Sequence, residues 1–360
     1  MKPYTQTTLS ALFAACALAF SLPAAAECEF FSSNSSAPYE ISLIKCGSSR
    51  SSSYASSYQP LSPDKRQFNQ AYQAYEKQDY ATAFNLWLPL AQKGDKVAQF
   101  IIGALYRDGQ GVKQDYAQAA QWFLKAAQQG NAKAQYSIGL MYDKGQGVKQ
   151  DYAQAMQWYQ KAAQQGLAQA QYVIGVLYHQ GQGVKQDYAQ AAQWFLKAAQ
   201  QGFALAQYNI GGLYRNGQGV KQDYAQAMQW YQKAAQQGYA QAQYGIGVMY
   251  EGGEGVKQDY TQAAQWYLKA AQQGVAKAQY NIGVLYYEGQ GVKRDDAQAM
   301  QWYLKAAQQG HADAQNNIGV LYYNGHGVAR DLQQARYWWG LAAKQGNQDA
   351  INNLKLLNRR

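Results

Sequence analysis

Cysteine, proline, serine, threonine and glutamate are all scarce through most of this 360-residue chain. Residues 95–360 contain no Cys, one Ser (Ser137), one Thr (Thr261) and three Glu (Glu251, Glu254, Glu288). A hydrolase working through an activated Ser or Cys would have to be built from that inventory. Ser137 has no His near it in sequence and reads as an ordinary helix residue. The three His (His179, His311, His326) lie far apart, and none has a His or carboxylate at i+4. No metal site, cofactor or catalytic residue is therefore assigned. The last of six prolines is Pro89, so nothing breaks a helix beyond it. Charged residues make up only 15%, well below the usual quarter. The 48% hydrophobic content is too high for a disordered chain. A mean hydropathy of -0.53 argues against a protein that crosses a membrane many times.

The amino terminus has its own character. Lys2 is followed by an apolar stretch over residues 9–22, then Pro23 and Ala24, Ala25 and Ala26 before Glu27. This is the pattern of a secretory signal over residues 1–26. Cleavage as a lipoprotein before Cys16 is the alternative, although Phe13 stands where such a site prefers Leu. Export leaves Cys28 and Cys46, an even number in an oxidising setting, which reads as one structural disulfide. Residues 47–63 are Ser-rich with two prolines and read as a linker that closes a leader over residues 27–63.

What the chain has in abundance is Gly (34 copies), Tyr (32 copies) and Gln, evenly spaced. Even spacing signals repeats. From residue 95 the sequence recurs every 36 residues, each copy closing on a Gly: Gly130, Gly166, Gly202, Gly238, Gly274, Gly310 and Gly346. Seven copies span residues 95–346. The copy NAKAQYSIGLMYDKGQGVKQDYAQAMQWYQKAAQQG, residues 131–166, predicts two helices. The first carries Ala134, Tyr136, Ile138 and Met141 on one face and stops at GQGV. The second starts at an Asp151 cap with Gln154 three residues on and stops at Gly166. A Gly inside every first helix (103, 139, 175, 211, 247, 283, 319) costs about 1 kcal/mol against Ala. Its recurrence suggests that another helix backbone crosses there. A two-helix unit cannot bury its own face, so the copies stack.

The pattern AxAQYxIGxxYxxGxGVxQDYxxAxxWYxKAAxQG closely resembles the Sel1-like repeat, a relative of the tetratricopeptide repeat. The resemblance implies an all-α, right-handed α/α solenoid of helix-turn-helix repeats. Residues 64–94 lack the GxGV loop and resemble a tetratricopeptide-type amino-terminal cap, and residues 347–360 form a polar half-copy that closes the other end. The family implies a non-enzymatic protein-interaction scaffold, binding a protein or peptide, sometimes in envelope assembly, in host-facing proteins or in neutralising a secreted toxin. It also implies an alternative, since cysteine-rich relatives bind or slowly hydrolyse β-lactams. Those carry a Cys pair in each repeat, and these copies have none.

The net charge of +10 has an internal explanation. Most copies carry a loop Lys (Lys113, Lys149, Lys185, Lys221, Lys257, Lys293), a capping Asp, and a Lys late in the second helix (Lys125 and its equivalents). Asp and the late Lys complement the helix macrodipole. The loop series would align as a basic stripe, able to meet an anionic envelope polymer, whereas nucleic acid is a poor partner for an exported protein. The Trp at one repeat position (Trp122 and its equivalents) reads as core. The GQGV loops follow no strand and read as connectors rather than phosphate sites.

Function is better sought where copies differ. In solenoids of this kind the first helices line the concave face, and there the sequence varies in the middle and at the end. The candidates for partner binding are Arg107, Asp143, His179, Arg215, Glu251, Tyr287 and Tyr323 at the end, with Asn209 and Asn281 in the middle. Drift at exposed positions would give the same variation.

Overall fold

A computed structural model describes residues 62–357. The expected signal sequence (1–26) and the Cys28–Cys46 disulfide lie outside the described residues, as does nearly all of the linker.

The described residues form seventeen helices and no strand. An opening pair, α1 (Pro63–Glu76) and α2 (Tyr80–Gln92), covers the stretch before the repeats. The copies follow as α3 (Lys96–Asp108) with α4 (Tyr116–Gln128), α5 (Ala132–Lys144) with α6 (Tyr152–Gln164), α7 (Ala168–Gln180) with α8 (Tyr188–Gln200), and α9 (Ala204–Asn216) with α10 (Tyr224–Gln236). Then come α11 (Ala240–Gly252) with α12 (Tyr260–Gln272), α13 (Ala276–Glu288) with α14 (Asp296–Gln308), and α15 (Ala312–Asn324) with α16 (Leu332–Lys344). A lone α17 (Gln348–Leu357) ends the described chain. The chain divides into two units within α7, after Gln171. In the first, α1 to α6 pack consecutively, each helix on the next; in the second, α9 to α17 do the same.

Helix boundaries follow from local chemistry. Asp151 Oδ1 accepts the Gln154 N–H at 2.9 Å, and Asp115, Asp223 and Asp295 cap their helices alike. Second helices end in a paired closure: Gly166 N–H donates to the Ala163 carbonyl and Leu167 N–H to the Ala162 carbonyl. That pattern needs the left-handed φ of +87° at Gly166. In the loop, Gly147 has φ +70°, and a Cβ there would strike the backbone carbonyl of Tyr116 in the preceding copy. The GxGV connector therefore lies directly against the first turn of the preceding second helix.

The glycine inside each first helix has a different cause from the expected one. A Cβ on Gly139 would sit 2.8 Å from the Tyr159 ring of its own copy, while the nearest backbone atom, the Ala155 carbonyl, is 3.4 Å away. The obstacle is an aromatic ring rather than a crossing backbone. The same relation holds for Gly103 with Phe123, Gly283 with Tyr303 and Gly319 with Trp339. Beside each glycine a first-helix aromatic meets that ring at 5.6–5.9 Å, from Phe100–Phe123 through Tyr280–Tyr303. The last copy carries a bulkier Trp339 and a smaller Asn316, and the Trp339 indole N–H donates to the Asn316 carbonyl at 3.1 Å.

Glutamine supplies the buried polar frame. Gln135, Gln207, Gln279 and Gln315 are buried at the same position of their copies. Gln279 donates to the Ala271 carbonyl of the preceding second helix at 3.1 Å and accepts from Gln309 Nε2 at 2.8 Å. Both ends of the amide are satisfied, so its burial costs little. Each such Gln ties a first helix to the second helices before and after it.

Trp122, Trp158, Trp230 and Trp302 are buried, and Trp194, Trp266 and Trp338 are half-buried. In six copies the Lys three residues on lies over the Trp ring, with Nζ 4.0–4.2 Å from its centre. The late Lys thus covers the outer face of the core as well as facing the helix terminus. At Trp338 the equivalent residue is Leu341.

Candidate partner-binding face

The seven end-position candidates share one place, the last turn of each first helix, and all seven are half-buried. Their side chains reach two kinds of neighbour within the protein. One is the second-helix aromatic sixteen residues on. Tyr159 donates its hydroxyl to Asp143 Oδ2 at 3.4 Å, and Tyr267 donates to Glu251 Oε2 at 2.5 Å. Where the second helix carries Phe195, His179 lies against that ring at 6.4 Å and edge-on to Tyr188 at 5.2 Å. The acceptor at the first-helix end therefore accompanies a hydroxyl on the second helix.

The other neighbour is the loop residue thirty-nine on, Gln in most copies. Arg215 forms a two-bond ion pair with Glu254, at 2.5 and 3.0 Å. Tyr287 meets His326 at 6.2 Å and carries the Arg294 guanidinium over its ring at 5.4 Å. These are the two places where the loop departs from Gln, and each departure meets a changed partner. Arg107 instead pairs with its neighbour Asp108 at 2.7 Å. Tyr323 lies against Trp339 and beneath Arg330. In the middle, Asn209 donates to the Leu205 carbonyl and hydrogen-bonds the Tyr172 side chain, while Asn281 hydrogen-bonds Tyr267.

The electrostatics follow from this half-burial. Desolvation raises the Asp143 carboxyl above its ordinary value, opposed by the hydrogen bond from Tyr159 and the charge of Lys144. Burial lowers the His179 imidazole. Tyr267 is held far above the ordinary phenol range by burial first and by Glu251 second. The Arg215 guanidinium is raised by its hydrogen bonds to Glu254.

A neighbouring series escaped the sequence reading. Asp108, Lys144, Gln180, Asn216, Gly252, Glu288 and Asn324 follow the candidates by one residue, change from each copy to the next, and are all exposed. One residue along a helix turns the side chain by about 100°, which carries it from the inter-helix seam to solvent. The signal was its place directly before the loop Gly, at the outermost helical position.

The comparisons with known proteins bear on the whole frame. A family model for the Sel1 repeat matches residues 96–131, 132–167, 168–203, 204–239, 240–275, 276–311 and 312–347. The chain belongs to the Sel1 repeat family. Its fold is the all-α Sel1-type solenoid of repeated helix pairs. Sel1 repeat proteins are generally non-enzymatic scaffolds for protein interaction. Among solved structures, a protective antigen present in uropathogenic Escherichia coli strains is 37% identical, with a TM-score of 0.76 over 81% of this chain. The match spans 63% of that antigen's length. A Sel1 repeat protein from Oxalobacter formigenes is 36% identical, with a TM-score of 0.66, covering 82% of this chain and 89% of that one. No curated protein matches the chain. Among the described residues no helix is long and apolar enough to cross a membrane.

Proposed function

We propose that this Sel1 repeat protein is an exported scaffold that holds a protein or peptide partner along the ends of its first helices. The observation that carries the reading is a constant frame bearing a non-repeating edge. The half-buried series from Arg107 to Tyr323 and the exposed series from Asp108 to Asn324 sit side by side, and no two successive copies present the same pair of side chains. Such an edge suits recognition of an asymmetric partner. Export is inferred from the signal pattern at residues 1–26, and cell fractionation tests it. A host-facing role, or neutralisation of a toxin, is a specific form of the same reading.

The test is capture of partners from envelope extract with the mature chain, against variants in which Arg107, His179, Arg215 and Tyr287, or Asp108, Gln180, Asn216 and Glu288, become Ala. Loss of partner with the second set alone places recognition on the exposed series; loss with the first places it at the seam. Unchanged recovery with both sets ends the proposal. A second reading is favoured by the loop lysines. Lys113, Lys149, Lys185, Lys221, Lys257 and Lys293 are exposed, and the ion pairs of Lys93, Arg107, Arg215 and Arg294 do not involve them. Binding of an anionic envelope polymer there would weaken steeply with salt, and salt-insensitive or absent binding removes it.

A further inference from the structure

The outer side of α16 departs from its six counterparts along one whole face. Tyr337, Gly340, Leu341 and Lys344 stand at i, i+3, i+4 and i+7 of the helix, and so share that face. The other six second helices carry there Gln, then Leu or Gln, then Lys, then Gln. The register position of Tyr337 is exposed in all seven copies, so its exposure belongs to this side of the helix and not to the end of the array. Tyr337 itself is 57% exposed, and its ring meets Trp338 edge-on at 5.4 Å.

Two of the changes leave the face bare. In the other six copies a Lys ammonium lies over the Trp ring, whereas here Leu341 takes that place and the cation stands one turn on, at Lys344. The second change is Gly340. A Cβ on it would meet nothing within 4 Å, unlike the inward glycines, whose Cβ would strike a ring. A glycine inside a helix weakens it, and packing among the described residues does not require this one. It opens a step beside Tyr337 where a bound molecule can approach the backbone closely.

The result is a strip about two helical turns long, roughly 10.5 Å, with an exposed ring at one end, bare backbone in the middle and an ammonium at the other. The face of the Tyr337 ring suits the C–H face of a saturated sugar ring, which is itself apolar. Lys344 repels a cationic ligand and calls for an anionic group beyond the ring. Docking on a lipid surface needs several inserted apolar side chains, and this strip offers a single exposed ring. An acidic sugar chain supplies both parts, an apolar ring face and a carboxylate on the next unit.

We infer that the outer face of α16 is a stacking site for an acidic polysaccharide, with one sugar ring lying on Tyr337 across the bare backbone of Gly340 and the carboxylate of the next unit meeting Lys344. The site lies apart from the first-helix edge proposed above and stands or falls independently of it. It is also distinct from the loop lysines, because copy seven carries Ala329 where the other six have the loop Lys.

The experiment measures binding of oligogalacturonate to the full mature chain by calorimetry, with a neutral cello-oligosaccharide of equal length for comparison. The acidic oligomer is expected to bind about tenfold or more tightly than the neutral one. Tyr337→Gln, Gly340→Leu and Lys344→Gln each install a residue that other copies carry at the same register, so the fold is retained, and an unchanged Tm checks this. Each is expected to weaken binding about tenfold, while Tyr337→Phe, which keeps the ring, changes it less than about threefold. Lys344→Gln also flattens the salt dependence. Unchanged binding in Tyr337→Gln or Gly340→Leu, or equal affinity for the neutral oligomer, overturns the inference. So does loss of binding only when loop lysines such as Lys257 become Gln, binding of anionic lipid vesicles in place of the oligomer, or no binding of the oligomer at all.

Discussion

The Tyr267 hydroxyl donates to Glu251 across sixteen residues, from a buried second-helix ring to the half-buried end of the first helix. Copy three solves the same position without a hydroxyl, setting His179 against Phe195. Tyr267→Phe keeps the ring but leaves Glu251 without its donor, an expected loss of about 1–3 kcal/mol. Adding Glu251→His, which reproduces the copy-three pair, recovers most of that loss. Chemical denaturation of the four proteins in the cycle measures the coupling. Independent effects would show that the two positions vary separately.

The buried amides give a second expectation. Gln279→Leu removes the acceptor of Gln309 Nε2 and the donor to the Ala271 carbonyl while keeping a similar volume. The Ala271 carbonyl keeps the Gly274 N–H and the exposed Gln309 amide keeps the Gly274 carbonyl, so the loss is that of two hydrogen bonds, about 1–3 kcal/mol in all at about 0.5–1.5 each. Exposed Gln301, on the outer side of α14, serves as control; Gln301→Leu changes stability by less than about 0.5 kcal/mol. Thermal unfolding of both variants decides, and equal losses would deny the amide ladder its structural role.

Much of this architecture was legible because its punctuation is chemical. Asp151, Gly145 and Gly166 mark where helices start and stop, and each acts locally, within a few residues. What stayed hidden depends on contacts between residues far apart in sequence. The helical Gly139 pointed to a close approach, but its neighbour is the Tyr159 ring rather than a backbone. Lys125 was read by its position near a helix end, whereas its Nζ lies over Trp122. Arg215 and Glu254 form an ion pair thirty-nine residues apart, which no local pattern reveals. Variation at the first-helix ends was taken as outward-facing, yet part of it follows from the identity of the residue packed beneath.

The glycine and its ring give a direct steric test. Gly283→Ala should gain about 1 kcal/mol of helix propensity if nothing opposed it. Its Cβ would instead lie 2.7 Å from Tyr303, which is 1% exposed and cannot move aside freely. Overpacking of this kind costs about 1–3 kcal/mol, so the variant is expected to be destabilised on balance. Pairing it with Tyr303→Leu, which removes the ring, makes the Ala less harmful than it is alone. A Gly283→Ala protein more stable than its parent would mean that the ring has room to shift.

His311 links stability to pH. Its ring stacks on Tyr280 at 4.7 Å, and its Nδ1 accepts the Ala314 N–H at the start of α15. Burial lowers the imidazole below its ordinary value of 6.5, and protonation would also remove the acceptor. The folded state therefore binds the proton less readily than the unfolded chain. Its contribution is complete above pH 6.5 and is lost as pH falls through the lowered value. Asn131 performs the same cap in copy two at 2.9 Å without titrating near neutrality. His311→Asn is expected to match the parent within about 0.5 kcal/mol at pH 7, since Asn is a strong N-cap. It should lose less stability than the parent between pH 7 and 5, read as a smaller fall in Tm. Parallel pH profiles for the two proteins would mean that His311 keeps its ordinary titration in the folded chain.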